Sequence, residues 1–573
     1  IYLKQKKLQE NMKKNSIKIL KTSLHQKTIL RKEKKQMNRN VESHFGNIPT
    51  KDIRRSKFKR PSSHKTTMNT GYIVPIYRDE MLPGDTVKLR MASLIRMATP
   101  INPVMDNAWI DTYFFFIPRR LVWEHWKEFM GENTTDEWTQ TIEYTIPKTT
   151  APENGWTKGS LASYLGARIG VDNIWIDSCY LRAYALVYNE WFRSENVSEP
   201  CSISLGDATT TGSNGTDYVV DTEKGGMPCK AVKYADYFTR ALPEPQKGVP
   251  IYVPIGIPEE IPVVATEALT GTTTQDSALG GKVGWITTES PANYGRLYTE
   301  EGGKVPNGQG FGLAASLENV TNTGVSINTL RQAYAIQKMM EIDARSGSRY
   351  IEVIRGHFGI TSPDARQQRP EYLGGKRVPI NMTEIVQQSE SGITPLGDTA
   401  GKSLTIDTDD MFTYSSTEHG IILGLAVIRT EHTYQQGIDK ILTRQTKYDF
   451  YWPELSNIGE QPIYNKEIFA TGTSTDDEVF GYQEPWAEYR YSNNRVSGEL
   501  NSDYSLSLDN WTYADDYNTT PTLSDEWLKE TDVNVKRTLA VQTQDQFICD
   551  FYFDQTWVRP MPIYSVPGLT GWH

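Results

Sequence analysis

Segments with the character of β-strands lie far apart in this sequence, and that spacing restricts the folds open to it. Thr86 to Met91 alternates apolar Val87, Leu89 and Met91 with polar Lys88 and Arg90, the period-2 mark of a half-buried strand. Ala108 to Ile117 is β-branched and aromatic and closes at Pro118, as a strand should. Gly420 to Thr430 and Gln546 to Asp554 read similarly. These four segments are spread over more than 460 residues. Long insertions must therefore separate the strands of one sheet system, a pattern of elaborated β-sandwiches rather than of repeated βαβ units. No internal repeat is visible.

Helical stretches lie between the strands. Leu121 to Met130 follows the Pro118 break, and Tyr180 to Glu195 carries Leu181, Tyr184, Ala185 and Tyr188 at helical spacing, with Trp191 and Phe192 one turn on. Between Thr329 and Ala344, the residues Leu330, Ala333, Ile336 and Met340 fall within an arc of about 120° at about 100° per residue. These stripes are expected to face the core, with no cofactor assigned to them. The segment Gly271 to Gly324 breaks the texture, with 11 glycines in 54 residues and little apolar periodicity. A stretch of that kind is either disordered or a functional surface excursion.

Composition excludes several classes. A length of 573 residues suits one large architecture with insertions, or two to three domains. With 31 Tyr, 17 Phe and 14 Trp the chain is neither disordered nor collagen-like. Its longest apolar run, Gly420 to Ile428, falls short of the ~20 residues of a membrane-spanning helix. The net charge of −9 hides an asymmetry, because residues 1–65 hold 20 basic against 4 acidic side chains. A basic arm on an acidic body directs only the arm toward polyanions. Residues 1–36 are Lys-rich and nearly featureless, whereas Met37 opens a different texture, so Met37 is the expected start of the working protein, with Met12 as a second possibility. From Met37 onward the arm keeps its charge in Arg54, Arg55, Lys57, Lys59 and Arg60, with Phe58 among them. Clustered cations with an aromatic suit loosely specific contact with phosphates and bases.

Catalytic and metal signatures are missing. Cys179, Cys201, Cys229 and Cys549 form no CxxC pair, which supports neither a zinc site nor a redox motif and reads as reduced thiols. No apolar signal-peptide core follows Lys4, Lys6 and Lys7. HExxH, GxSxG and GxGxxG are absent, and Gly397 to Ser403 misses a phosphate loop because Leu396 stands where glycine is required, leaving a polar turn as the reading. Of eight histidines, His357 and His419 are the two worth weighing, and both are expected to be structural. Glu418 and His419 are adjacent, so on a strand they point to opposite faces and cannot form a dyad.

The longer motifs carry a resemblance. Arg182 to Arg193 (RAYALVYNEWFR), Asp236 to Gly248 (DYFTRALPEPQKG), Arg349 to Arg366 (RYIEVIRGHFGITSPDAR) and Arg369 to Gly375 (RPEYLGG) resemble the major capsid proteins of gokushovirus-type Microviridae, small single-stranded DNA bacteriophages. Thr433 to Gly437, Tyr448 to Pro453, Phe480 to Glu484 and Arg559 to Leu569 follow in the same order, from about Met37 to the end.

The resemblance implies a mainly β protein built on an eight-stranded antiparallel jelly roll of viral capsid type, with long loop and helical insertions. It divides the chain into the extension 1–36, a basic arm 37–66, a capsid core in 67–270 and 325–573, and a surface insertion 271–324 at the threefold axes. It further implies an icosahedral, T=1-like shell of sixty copies around circular single-stranded DNA, made in the host cytoplasm and residing in the virion. Other virion and scaffolding proteins and a bacterial surface receptor are the implied partners, with no membrane insertion and no cofactor or metal. Nucleic-acid contacts are expected at Arg54, Arg55, Lys57, Phe58, Lys59 and Arg60. Subunit contacts are expected at Arg366, Arg369, Tyr372, Trp452 and Arg559, since interfaces enrich aromatics and arginine. Two alternatives remain open: a jelly roll that binds a receptor or carbohydrate without forming a shell, and an enzyme on a β-sandwich. The enzyme needs convergent carboxylates or a metal cluster that the sequence does not display.

Overall fold

Two antiparallel sheets form the body of the computed structural model, which describes residues 54–133, 143–249, 251, 327–388 and 399–564 and four short strands between 263 and 315. The strands are β1 (Ser56–Lys59), β2 (Ser62–Met68), β3 (Val74–Met81), β4 (Thr86–Met97), β5 (Ala108–Pro118), β6 (Glu371–Pro379), β7 (Thr405–Ser415), β8 (Gly420–Thr430) and β9 (Phe547–Arg559). β1 and β2 are two halves of one edge, interrupted at Arg60 and Pro61, and both pair with β9. The first sheet then continues through β4 to β7, and the second runs β6, β5, β8, β3. The chain crosses to the opposite sheet at every step except β5 to β6, where residues 119–370 intervene. All four strands read from sequence are present, but divided between two sheets: β4 and β9 in the first, β5 and β8 in the second.

Alternation sets what each face meets. Val87, Leu89, Phe551, Phe553 and Trp557 from the first sheet pack against Ile76, Phe114, Phe116, Ile422 and Ile428 from the second, forming the inner core. The other face of the second sheet, with Phe115, Ile117, Ile421, Leu423, Leu425 and Val427, is covered by the insertion after β5. There α1 (Ser178–Val187) starts at Asp177, whose carboxylate accepts from Cys179 N, and buries Leu181, Tyr184 and Ala185 before widening into a π turn at Tyr188–Phe192. β8 is apolar without a break from Gly420 to Ile428 because both of its faces are buried.

Three expectations need correction. Leu121 to Met130 is not one helix: a 3₁₀ turn at Arg119–Leu121 and a single α turn at Trp126–Phe129 flank fully buried Val122 and Trp123, because anchoring Trp123 overrides helical continuity. The helix expected over 329–344 is real, as α2 (Ile327–Ser346), but its stripe is not protomer core. Leu330, Ala333 and Met340 are half-buried, Ile336 is exposed, and only Ala344 is buried. It pairs with α3 (Tyr350–Phe358), which ends at Gly359 in the left-handed region at φ 67°. Thr399–Ser403 is a strand paired with Met382–Val386, so the supposed polar turn is half of a hairpin.

The extension 1–36 and the arm up to residue 53 lie outside the described residues. So does the glycine-rich segment 271–324, apart from Gly284–Ile286, which pairs with Arg296–Tyr298, and Leu313–Ala315, which pairs with Val263–Ala265.

Candidate assembly surfaces and nucleic-acid face

The basic cluster expected to meet nucleic acid forms the edge of the first sheet. Pairing of β1 with β9 turns Lys57 and Lys59 outward, where both are exposed, and turns Phe58 inward against the core, away from any stacking role on the surface. Arg54 is exposed, and the Arg55 guanidinium lies beside Gly84. Arg60 is exposed but engaged: its Nη1 donates to Asp79 Oδ2 at 2.8 Å and its guanidinium lies 5.4 Å from the centre of the Trp557 ring. Exposed cations continue on this face beyond the expected cluster. Lys65 of β2 and Lys88, Arg90 and Arg96 of β4 are exposed on the same outward face as Ile548 and Tyr552 of β9. Their signal was the polar half of the β4 alternation. Some of this charge is balanced, with Lys88 2.8 Å from Asp410 and Lys65 3.3 Å from Asp550. Lys57, Lys59 and Arg96 have no acidic partner among the described residues.

The five expected subunit contacts separate into two kinds. Arg369 and Arg559 are internal braces. Arg369 is buried, 4.1 Å over the Trp191 ring and 3.4 Å from Asp364. Arg559 donates to Glu80 O at 2.7 Å and lies 3.3 Å from Asp85. Arg366, Tyr372 and Trp452 face outward. Tyr372 joins Tyr113, Phe115, Trp191, Phe192 and Arg429 around an open recess of about 300 Å³. Trp452 belongs to a larger group with Tyr448, Phe450, Tyr451 and Leu442, all about half exposed or more. This group is held rigidly: Trp452 Nε1 donates to Lys447 O at 2.7 Å, and Tyr451 meets Trp486 edge-on at 5.8 Å. Beneath them Arg444 pairs with Glu488 at 2.9 Å and lies 4.5 Å over the Tyr489 ring. Rigid, half-exposed aromatics lose little freedom on contact, which is what an adhesive patch requires. The α2–α3 pair adds exposed Tyr334, Met339, Tyr350 and Phe358.

Both weighed histidines have packing partners. His357 bonds Asp343 at 2.7 Å and ties α3 to α2. His419 meets Trp126 edge-on while Glu418 pairs with Arg120, so the two neighbours do turn apart. The histidine that sequence reasoning missed is His432, just past β8, fully buried with Nδ1 2.9 Å from Asp515 and Nε2 3.3 Å from Glu530. Lys233 lies 3.8 Å from Asp515, and Asn534 donates to it at 2.6 Å. Burial works against the imidazolium, but Asp515 and Glu530 overcome it and hold the His432 pKa up at about 10. Nothing in the sequence joins positions 432, 515 and 530. Among the described residues no group of His, Cys, Asp and Glu is arranged to hold a metal ion.

Known proteins match along this whole architecture. The profile of a protein family described as Capsid protein (F protein) matches residues 46–569. Capsid protein VP1 of Spiroplasma virus 4 is 39% identical over 562 residues, covering 94% of this chain and 100% of the relative. Capsid protein VP1 of Bdellovibrio phage phiMH2K is 38% identical, covering 93% and 99%, and that of Chlamydia phage 1 is 35% identical, covering 92% and 98%. A structural role in a virion follows, not an enzymatic one, and the chain belongs to the capsid protein (F protein) family of the Microviridae bacteriophages.

Proposed function

We propose that this chain is the subunit of a T=1-like icosahedral shell, present in sixty equivalent copies around circular single-stranded DNA. The observation that carries this is the pairing order. With β1 and β2 counted as one broken strand, two facing sheets of four strands and alternating crossovers fit an eight-stranded jelly roll. A closed shell needs several separate adhesive patches on one subunit. The Tyr372 recess, the Tyr448–Trp452 group and the exposed face of α2 and α3 supply three. The outward cations of the first sheet fit a surface turned toward the genome, where phosphate contact is tolerant of sequence. The segment 271–324 is assigned to threefold protrusions that meet the bacterial receptor, and accessory virion or scaffolding proteins assist assembly in the host cytoplasm.

The test is the particle mass of the purified chain by light scattering, with negative-stain imaging, alone and with circular single-stranded DNA and infected-cell lysate. Uniform shells of sixty-subunit mass are expected. Monomers or trimers under every condition would instead favour a binding protein that never forms a shell.

A further inference from the structure

Two cysteines far apart in sequence come together in the cover over the second sheet. Cys201 Sγ and Cys229 Sγ are 3.8 Å apart, both sulfurs are buried, and Thr222 Oγ1 lies 3.8 and 3.4 Å from them. A disulfide is about 2.05 Å long, so less than 2 Å of movement joins them. Each cysteine is laced to a different part of the fold. The Cys201 backbone is gripped from both sides by the Asn189 side chain in the π turn after α1, at 2.7 and 2.9 Å. Cys229 N donates to Tyr184 Oη at 3.0 Å, and Cys229 O accepts from Ile73 N at 2.9 Å, at the entry to β3. The remaining thiols differ: Cys179 and Cys549 are buried without a second thiol beside them among the described residues.

We propose that Cys201 and Cys229 are a redox-formed staple, closing under oxidising conditions to fasten two segments of the cover to each other over the second sheet and opening to thiols under reducing ones. The chemistry is exchange with a small-molecule disulfide. The Cys201 thiolate attacks one sulfur of the reagent, a thiolate leaves, and the resulting mixed disulfide is displaced by the Cys229 thiolate. The protein gives up two electrons and two protons, and one disulfide reagent becomes two thiols. Cys201 is the better attacking group. A hydrogen bond from Cys229 stabilises its thiolate and, with Lys529 and Arg193 nearby, lowers its pKa, whereas burial raises that of Cys229. Burial likewise pushes Cys549 up to about 12, leaving it inert.

The experiment treats the folded full-length chain with 2-hydroxyethyl disulfide, removes the reagent, traps free thiols by alkylation in denaturant and maps unreduced peptides by mass spectrometry. The expected product is one crosslinked pair joining the peptides of Cys201 and Cys229, lighter by two hydrogens, with an upward shift in melting temperature that a phosphine reverses. Cys201→Ala and Cys229→Ala should each lose the crosslink, while Cys179 and Cys549 stay alkylated in all samples. If both thiols of the wild-type chain remain alkylated, or each carries its own separate adduct, the staple does not exist. That readout needs no variant to fold.

Discussion

The two sheets share a core but differ on their other faces. The inner strands of the second sheet, β5 and β8, are buried on both sides, and β8 runs Gly-Ile-Ile-Leu-Gly-Leu-Ala-Val-Ile with every one of these residues buried. The first sheet is covered on one side only, and β4 and β9 keep strict alternation, with Lys88, Arg90, Ile548 and Tyr552 outward. One body therefore carries a sheet specialised for stability and a sheet left open for contact. The difference is written in periodicity before it is visible in packing.

The largest expected effect contrasts the two outer faces directly. Leu423→Asn, under α1, removes apolar contacts and buries an unsatisfied amide, at a cost on the order of 4 kcal/mol. Ile548→Asn, 57% exposed on the open face, should stay within about 0.5 kcal/mol. Equal losses in denaturant unfolding would erase the distinction. Next, His432→Ala just past the end of β8 leaves Asp515 and Glu530 buried without their central cation and should cost about 3–5 kcal/mol. The pH dependence has a definite sign. His432 keeps its proton in the folded chain up to about pH 10, against an ordinary value of 6.5. Its stabilisation is thus complete below pH 6.5 and is lost as pH rises through about 10, which melting temperatures across that range would follow.

A smaller effect belongs to Gly424, where an added Cβ would stand 2.6 Å from the Phe114 ring and 2.8 Å from Tyr77 Cβ. Gly424→Ala should cost about 1–3 kcal/mol by overpacking between the sheets, read from the unfolding midpoint. The smallest change in stability is expected for Lys57→Ala combined with Lys59→Ala, within about 0.5 kcal/mol. That pair should nevertheless weaken single-stranded DNA binding and flatten its salt dependence by a slope of about 1.4. An unchanged slope in an anisotropy titration would detach nucleic acid from the open face.

Strand identity was legible wherever local pattern decides it, as in Thr86 to Met91 and Ala108 to Ile117. Partner choice was not, because which strands share a sheet depends on crossovers spanning hundreds of residues. The fate of an apolar stripe was equally hidden. Leu181 and Tyr184 in α1 and Leu330 and Ala333 in α2 have the same spacing, yet the first pair is protomer core and the second is not. Periodicity reports that a face seeks cover and is silent on what supplies it. The candidate contacts divided for a related reason: composition marks arginine as interface-prone, but Arg369 and Arg559 meet carboxylates and tryptophans of their own chain. Buried ion clusters such as His432, Asp515 and Glu530 leave no local trace.

The position of β9 also has a consequence in time. This strand lies near the end of the sequence but sits in the interior of the first sheet, between the edge formed by β1 and β2 and the strand β4. During synthesis the second sheet can pair as soon as β8 has emerged, whereas the first has a gap until β9 itself has emerged. Until then the inner face of the second sheet lacks its Phe551, Phe553 and Trp557 cover, and the outward face of the first sheet is incomplete. Chains that have not yet reached β9 consequently lack the strand that joins the β1–β2 edge to β4.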